Sequence, residues 1–170
     1  MIRWAGAHAH EALADVEAAC DAAEVNAARI CTPTSGAHDF LEALHGNGIP
    51  VVIVTNNAAG AVRGYLERWN LVNHVRDIVG RPELRPDLMK PNPYTINQAL
   101  DILGMEPESA VLVGDSVSDI AVARKVGVRS IGYAKTRQRG MELDEAGADA
   151  ITGNINDLVT PEQTGWPRYR

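Results

Sequence analysis

Thr55 and Asn56 lie between a predicted strand and a predicted helix, a position at which proteins can bind an anion. They follow residues 51–54, a continuous β-branched run typical of a buried strand, and precede a helical pattern that begins at Ala58. Backbone N–H groups at the start of a helix carry partial positive charge, and a hydroxyl beside them adds another donor. The segment predicts a phosphoryl-binding site. The alternative is that Asn57 merely caps the helix.

Lys90 carries a charge suited to the same ligand. It precedes Pro91, and a residue before proline is disfavoured in the helical region, so we expect Lys90 to be extended and its side chain to point in a fixed direction. We expect Asn92 to cap a helix that starts at Pro93. A lysine held in this way can neutralise phosphate charge. The alternative is a solvated surface lysine beside an ordinary turn.

Asp115 and Asp119 are the candidate metal ligands. Asp115 ends an apolar run at residues 110–114, and Asp119 falls on the first turn of the next helix. Carboxylates placed in this way can share a hard cation such as Mg²⁺, which prefers oxygen ligands. Ser116 with Asp119 also matches a capping box, which explains Asp119 without a metal. Asp115 has no such explanation, because a carboxylate buried at a strand end is costly to desolvate without a cation or donors.

Strands and helices alternate along the part of the chain that carries these residues. We predict strands at residues 51–55, 77–80, 110–114, 128–132 and 150–151, and helices at residues 11–28, 37–45, 58–70, 94–103 and 116–126, with a last helical piece near Asn156. This alternation is typical of an α/β fold with a Rossmann-like parallel sheet and flanking helices. Ligands of such sheets bind at the carboxyl ends of the strands, so we expect Thr55, Lys90 and Asp115 to meet at one edge.

The composition excludes several classes of function. The chain has 170 residues, with 16 basic and 22 acidic side chains and a net charge of −6 at pH 7. This length suits one compact core. The acidic balance argues against a nucleic-acid partner, and we expect neither a membrane segment nor a signal peptide. Cys20 and Cys31 lack metal-binding spacing, so we expect a reduced, cytoplasmic compartment.

Taken together, the motifs resemble those of the haloacid dehalogenase-like superfamily, whose members are mostly magnesium-dependent phosphatases. The segment around Thr55 is similar to the second motif of that family, Lys90-Pro91 to the third, and Asp115 with Asp119 to the fourth. The order and spacing match from about residue 36 to residue 158, most closely in the phosphoglycolate-phosphatase-like branch.

The resemblance implies a role for each residue. Thr55 and the Asn56 backbone would hold phosphoryl oxygens, and Lys90 would neutralise charge on the nucleophile and the phosphate. Asp115 would bind Mg²⁺ directly, whereas Asp119 would act through water or by holding Asp115. The substrate would be a small phosphorylated metabolite.

The first motif of the family, Asp-x-Asp at the end of a central strand, is absent from this sequence. That motif supplies the nucleophile of a covalent mechanism and its acid/base. The resemblance therefore implies a sheet whose first central strand is missing, between the strands at residues 51 and 110. We expect residues 1–34 to be the remnant of a helical cap with a linker, residues 35–160 the core and residues 161–170 a polar tail, and the natural polypeptide to extend upstream.

Two functions are compatible with these observations. The first is a phosphatase-family chain that is inactive in this form, with weak or absent Mg²⁺ binding, and competent in a longer form. The second is a non-catalytic module that binds a phosphorylated ligand or a partner, including a second copy of itself that donates the missing strand. A receiver-like signalling domain shares the α/β layout, but Lys90-Pro91-Asn92-Pro93 fits it poorly.

Overall fold

The computed structural model describes residues 1–159, and its first thirty residues are helical. Helix α1 (Ile2–His8) and a 3-10 turn (His10–Ala12) precede the long helix α2 (Leu13–Ile30). The buried residues Ile2, Ala5 and Leu13 pack the two helices together. The helix predicted at residues 11–28 is confirmed, whereas α1 was not predicted.

The rest of the described chain alternates helices and strands. The elements are α3 (Ala37–Gly46), β1 (Val52–Val54), α4 (Ala59–Arg68), β2 (Asp77–Val79), α5 (Tyr94–Leu103), β3 (Val111–Gly114), α6 (Val117–Val126), β4 (Arg129–Tyr133), α7 (Arg137–Glu145) and β5 (Ala150–Thr152). Further 3-10 turns cover Val72–His74, Pro86–Leu88, Pro107–Ser109 and Ile155–Leu158. All five predicted strands and the helices between them are confirmed to within two residues at most ends. Helix α7 was not predicted.

The strands form two separate parallel sheets. In the first, β1 pairs with β2, with Ile53 opposite Ile78. In the second, β4 lies between β3 and β5, with Val113 opposite Ile131. Within residues 1–159, β1 has no partner besides β2, and β3 none besides β4. This arrangement confirms the parallel α/β fold, and the break between β1 and β3 falls where the missing central strand was predicted.

Apolar helix faces cover both sheets. Ile96 and Leu100 of α5 meet Val122 and Ala123 of α6 in one buried cluster, which β1 and β3 contact through Val54 and Leu112. The other two clusters centre on Leu66, Leu71 and Ile78 and on Ile120, Ala134 and Leu143. Burying a side chain of this size stabilises the fold by about 1.5–3 kcal/mol. The same core therefore holds the sheets on both sides of the break.

None of the helices in residues 1–159 has the combination of length and apolar character that spanning a bilayer requires. Residues 31–34 separate α2 from α3 without regular structure, at the position of the predicted linker. The domain boundaries stay predictions, and the predicted polar tail at residues 161–170 lies outside the described residues.

Candidate functional site

The loop after β1 holds Thr55 in a fixed position. The N–H of Thr55 donates to the carbonyl of Val79 on β2 (2.9 Å), and its Oγ1 accepts the N–H of Asn57 (3.1 Å). Helix α4 starts at Ala59, and the capping position belongs to Ala58, whose own side chain provides no cap. The Ala58 N–H donates instead to Oε2 of Glu24 on α2 (2.7 Å). The alternative that Asn57 merely caps the helix is therefore wrong, because the first free N–H group of the helix start binds a carboxylate from α2.

Lys90 is buried, with 8 % of its surface exposed, so the alternative of a solvated lysine is wrong. Its backbone is held on both sides by the side chain of Asn56, which accepts the Lys90 N–H (2.9 Å) and donates to the Lys90 carbonyl (3.2 Å). Arg3 of α1 donates to the same carbonyl. The peptide bond between Lys90 and Pro91 is cis. These contacts fix the chain at the point from which the lysine side chain extends.

The ammonium group of Lys90 connects the two sheets at their carboxyl ends. Nζ donates to the carbonyl of Val54, at the end of β1 (2.9 Å), and to Oδ1 of Asp119, on the first turn of α6 (2.7 Å). Asp119 is 5 % exposed. A charge-assisted hydrogen bond between two buried groups is among the stronger polar contacts in proteins. Lys90 therefore lies at the break between β1 and β3, and its ammonium binds the residue that directly precedes Thr55.

Asp119 uses both carboxylate oxygens for contacts within the protein. Oδ2 accepts the Ser116 N–H (3.1 Å) and the Ser116 hydroxyl (2.7 Å), and the Ser116 Oγ accepts the Asp119 N–H (3.2 Å). The predicted capping box is confirmed. A Cβ added at Gly114 would lie 2.5 Å from Cβ of Asp119, so only glycine allows this approach. Asp119 holds Lys90 and Ser116, and no contact with Asp115 is among these bonds.

Asp115 is exposed at the end of β3. The predicted burial of Asp115 beside a cation is therefore wrong, because its side chain is exposed to solvent. The exposed carboxylate nevertheless fits Mg²⁺, a hard ion that keeps several waters and is commonly held by one or two carboxylates together with substrate phosphate. Asp115 is the residue that would hold the ion directly. Its role and that of Asp119 toward a metal stay predictions.

Asn92 binds the start of α5 from outside the helix, so the prediction that it caps a helix starting at Pro93 is wrong. Its Oδ1 accepts the N–H of Tyr94 (2.9 Å), and Pro93 occupies the capping position. The Asn92 amide also donates to the carbonyl of Asp87 (2.9 Å). These bonds connect the Lys90 turn to α5.

Arg81, which follows β2 and contacts the loop at Asn56, was not predicted from the sequence. Its side chain is 2 % exposed and contacts Glu17, Asp21 and Glu24 of α2. The signal in the sequence is the spacing of these three acids, four and three residues apart, which places them on one face of a helix. Nothing in that spacing identifies Arg81 as their partner.

Three of the five histidines of the sequence lie together at helix α3. The ring centroid of His74 lies 6.0 Å from that of His38 and 5.3 Å from that of His45. Ligand atoms of His38, Asp39 and Glu42 lie within 4.8 Å of one another, and all three side chains are exposed. Exposed groups of this kind are common on solvated helices, so the cluster does not define a site.

The fold and the order of the motifs are those of the haloacid dehalogenase-like hydrolase family. The sequence profile of that family matches residues 6–133, and the chain belongs to it. One similar curated protein is the phosphoglycolate phosphatase of Rhodospirillum rubrum, which is 38 % identical over 104 residues (59 % of this chain, 42 % of that protein). Another is the phosphoglycolate phosphatase of Escherichia coli K12, 30 % identical over 121 residues (71 % of this chain, 47 % of that protein). The chain spans about half the length of these relatives.

Solved structures are similar over a comparable part of the chain. A HAD phosphatase from Thermococcus onnurineus aligns with a TM-score of 0.66 and 26 % identity, covering 78 % of this chain and 59 % of that one. A HAD-superfamily hydrolase from Ehrlichia chaffeensis aligns with a TM-score of 0.61 and 26 % identity, covering 74 % and 55 %. The predicted family and fold class are therefore confirmed.

Proposed function

We propose that this chain forms the phosphate-binding part of a magnesium-dependent phosphomonoester phosphatase of the phosphoglycolate-phosphatase-like kind, working in the cytoplasm on a small phosphorylated metabolite. The observation that carries the proposal is the buried ammonium of Lys90, held between the carbonyl of Val54 and the carboxylate of Asp119. It places one positive charge at the strand end that also carries Thr55.

Each residue has a role in this proposal. The Thr55 hydroxyl and the Asn56 N–H donate to phosphoryl oxygens, and Lys90 neutralises part of the phosphate charge. Preorganised donors and charges of this kind act where negative charge develops in phosphoryl transfer. Asp115 would hold Mg²⁺, which would supply further charge neutralisation at the phosphate. Asp119 keeps Lys90 in place.

The nucleophile belongs to a strand that would pair with β1 and β3. The sequence contains no Asp-x-Asp, and both strand edges lack a second partner within residues 1–159. A carboxylate on that strand would attack phosphorus and form an acyl phosphate while the ester oxygen leaves with a proton. Water would then hydrolyse the acyl phosphate. The 170-residue chain by itself is therefore expected to bind phosphate without turning over an ester, since loss of a nucleophile lowers rates by several powers of ten.

The absence of Asp-x-Asp also favours a second candidate, a non-catalytic module that uses the same residues to bind a phosphorylated ligand or a partner. A second copy of the chain is one such partner, because the edges of β1 and β3 that lack a partner within residues 1–159 are templates for strand pairing. Light scattering of the pure chain measures this association directly.

Titration calorimetry with inorganic phosphate and Mg²⁺ tests the binding proposal. The wild-type chain is expected to bind, and Lys90→Met to lose about 10- to 100-fold in affinity, the effect of removing a hydrogen bond to a charged group. The matched control is Lys125→Met, an exposed lysine on α6, for which we expect wild-type affinity. No binding by the folded wild-type chain, or equal losses in both variants, would contradict the proposal.

An assay with p-nitrophenyl phosphate distinguishes the two candidates. The 170-residue chain is expected to be inactive in both. A longer polypeptide translated from the in-frame upstream DNA is expected to gain Mg²⁺-dependent turnover if the function is catalytic, with Asp115→Asn abolishing it. A stop codon immediately upstream, or a longer chain that binds phosphate without turnover, favours the binding module. Mg²⁺-dependent turnover by the 170-residue chain that Asp115→Asn abolishes would contradict the missing-nucleophile proposal.

A further inference from the structure

Arg81 is a buried charged residue that joins helix α2 to the core. It follows β2, and its side chain is 2 % exposed. Nε donates to Glu17 (3.2 Å), Nη1 donates to Glu24 (2.8 Å), and Nη2 donates to Asp21. The fork of the guanidinium suits several carboxylates at once, and lysine has no equivalent geometry.

The same guanidinium also holds the loop after β1. Nη1 donates to the carbonyl of Asn56 (2.8 Å), and the backbone N–H of Arg81 donates to the carbonyl of Asn57 (2.8 Å). Glu24 accepts the next N–H along the chain, that of Ala58 (2.7 Å). Three consecutive residues of this loop are therefore fixed by Arg81 and its carboxylate partner Glu24.

From this loop the contacts continue to Lys90. The Asn56 side chain binds both the N–H and the carbonyl of Lys90, and the Lys90 ammonium binds Asp119. A continuous set of hydrogen bonds thus runs from α2 through Arg81 and Asn56 to Lys90. Because Arg81 binds the main-chain carbonyl of Asn56 and Lys90 binds its side-chain amide, a displacement of Asn56 would also displace Lys90.

The charge of Arg81 is maintained in this environment. Burial by itself lowers the pKa of Arg81, but the hydrogen bonds that its guanidinium donates to Glu24 and Glu17, together with the charge of Asp21, outweigh burial, and the pKa of Arg81 is raised above its ordinary value. Three carboxylates face one guanidinium, so the cluster has an excess of negative charge. Buried charges are weak sources of stability compared with apolar residues of similar volume. The cluster is therefore better explained by the position it gives to the loop than by the stability it adds.

We infer that Arg81 is a positioning residue for the phosphate-binding loop, acting through Asn56 on Lys90, with α2 as the element that fixes it. The inference rests on the proposed function, because the loop is the proposed phosphate site. The guanidinium of Arg81 donates to protein acceptors through all three of its nitrogens, so we assign it no direct contact with phosphate. Docking of α2 and phosphate affinity are therefore coupled through Arg81 and Glu24, the α2 carboxylate that also binds the loop at Ala58.

The test compares Arg81→Lys with two control variants. Arg81→Lys keeps the charge but loses the fork, and we expect the dissociation constant for inorganic phosphate with Mg²⁺ to rise about tenfold or more, as small misplacements of binding groups do. Glu17→Gln weakens a contact of Arg81 that does not reach the loop. Arg85→Lys changes an exposed neighbour that is paired with Asp87. Urea unfolding of each variant reports its stability.

The amide resonances of Asn56, Asn57 and Ala58 give a readout that does not depend on phosphate binding. In Arg81→Lys these resonances are expected to shift, and phosphate affinity to fall by more than the loss of stability predicts. We expect Glu17→Gln to lower the free energy of unfolding while its phosphate affinity stays at the wild-type value. We expect Arg85→Lys to change neither quantity.

Two outcomes would overturn the inference. One is wild-type phosphate affinity and unchanged loop resonances in folded Arg81→Lys. The other is a loss of phosphate affinity that is proportional to the loss of unfolding free energy, with the same ratio in Arg81→Lys and Glu17→Gln. If the wild-type chain binds no phosphate, the proposed function fails, and the loop resonances alone then decide: a shift in Arg81→Lys but not in Arg85→Lys supports the positioning role, and no shift overturns it.

Discussion

Nζ of Lys90 lies 2.7 Å from Oδ1 of Asp119, and both side chains are buried. The pair joins the end of β1, which Lys90 contacts through the Val54 carbonyl, to the first turn of α6. β1 and β3 belong to separate sheets within residues 1–159, and this ion pair is a polar connection between the two sides of that break. Its removal should therefore affect stability as well as the site.

Replacing Asp119 with asparagine leaves the Lys90 charge uncompensated in a buried position. We expect the free energy of unfolding to fall by about 3–5 kcal/mol, the usual cost of breaking a buried ion pair from one side. Asp115→Asn is the matched control, because Asp115 is exposed, and there we expect a change within about 0.5 kcal/mol. Urea unfolding of both variants measures the difference, and similar losses at the two positions would show that the ion pair adds nothing.

Gly114 allows Asp119 to approach the end of β3. A Cβ at this position would lie 2.5 Å from Cβ of Asp119 and 2.7 Å from Oδ2, closer than real side-chain atoms approach. Gly114→Ala is therefore expected to cost about 1–3 kcal/mol of unfolding free energy, as overpacking does, and to move Asp119 away from Lys90. Thermal or urea unfolding measures the cost.

The control for this substitution is Gly64→Ala, inside helix α4, where an added Cβ meets nothing within 4 Å. Removing a helix-interior glycine should raise the free energy of unfolding by up to about 1 kcal/mol. Effects of the same sign in both variants would mean that the close approach at Gly114 is relieved without cost.

The sequence was sufficient to predict most of the fold, because β1 and β3 are short valine-rich runs and most segments between the strands have helical patterns. It did not predict α7, since residues 137–145 are mostly polar and Leu143 is the one fully buried apolar side chain of that helix. It also did not predict α1, whose buried residues Ile2 and Ala5 pack against α2. Both helices depend on tertiary packing more than on a local pattern.

The candidate site was predicted only in part, because some of its contacts are local in the sequence and others form between distant segments. Lys90, Thr55 and the capping box of Ser116 with Asp119 follow local rules about strand ends, prolines and helix starts. Glu24 and Arg81 are separated by 57 residues and meet through the fold, so no spacing rule finds them. The same limit explains the wrong assignment of Asn57 as a cap, because the group that satisfies the helix start comes from α2.

Asp87 gives the site region a defined pH response. The hydrogen bond from Arg85 holds the pKa of Asp87 below its ordinary value, against a smaller opposing effect of desolvation. Since the folded-state pKa is lowered, this carboxylate stabilises the fold above its unfolded pKa, and the contribution is lost as the pH falls through the lower folded value. The stability difference between wild type and Asp87→Asn should therefore be constant near neutral pH and shrink in acid.

Urea unfolding from neutral pH to pH values below about 4, the ordinary range of an aspartate pKa, measures this difference. Both side chains of the pair are more than half exposed, so the effect should be small and should decrease further in high salt. A difference that is the same at acidic and neutral pH would contradict the assignment of the shift to Arg85.

Ser116 and Thr136 cap α6 and α7 with equal geometry, each accepting a backbone N–H three residues on at 3.2 Å. Either residue replaced by alanine should cost about 0.5–2 kcal/mol of unfolding free energy, the usual value of an N-cap. Ser116→Ala also removes a donor to Oδ2 of Asp119, so it alone should weaken phosphate binding by releasing the partner of Lys90. Calorimetry with phosphate and Mg²⁺ on both variants separates the two effects. Equal affinities in Ser116→Ala and Thr136→Ala, at equal cost in stability, would mean that the cap of α6 serves the helix and not the site.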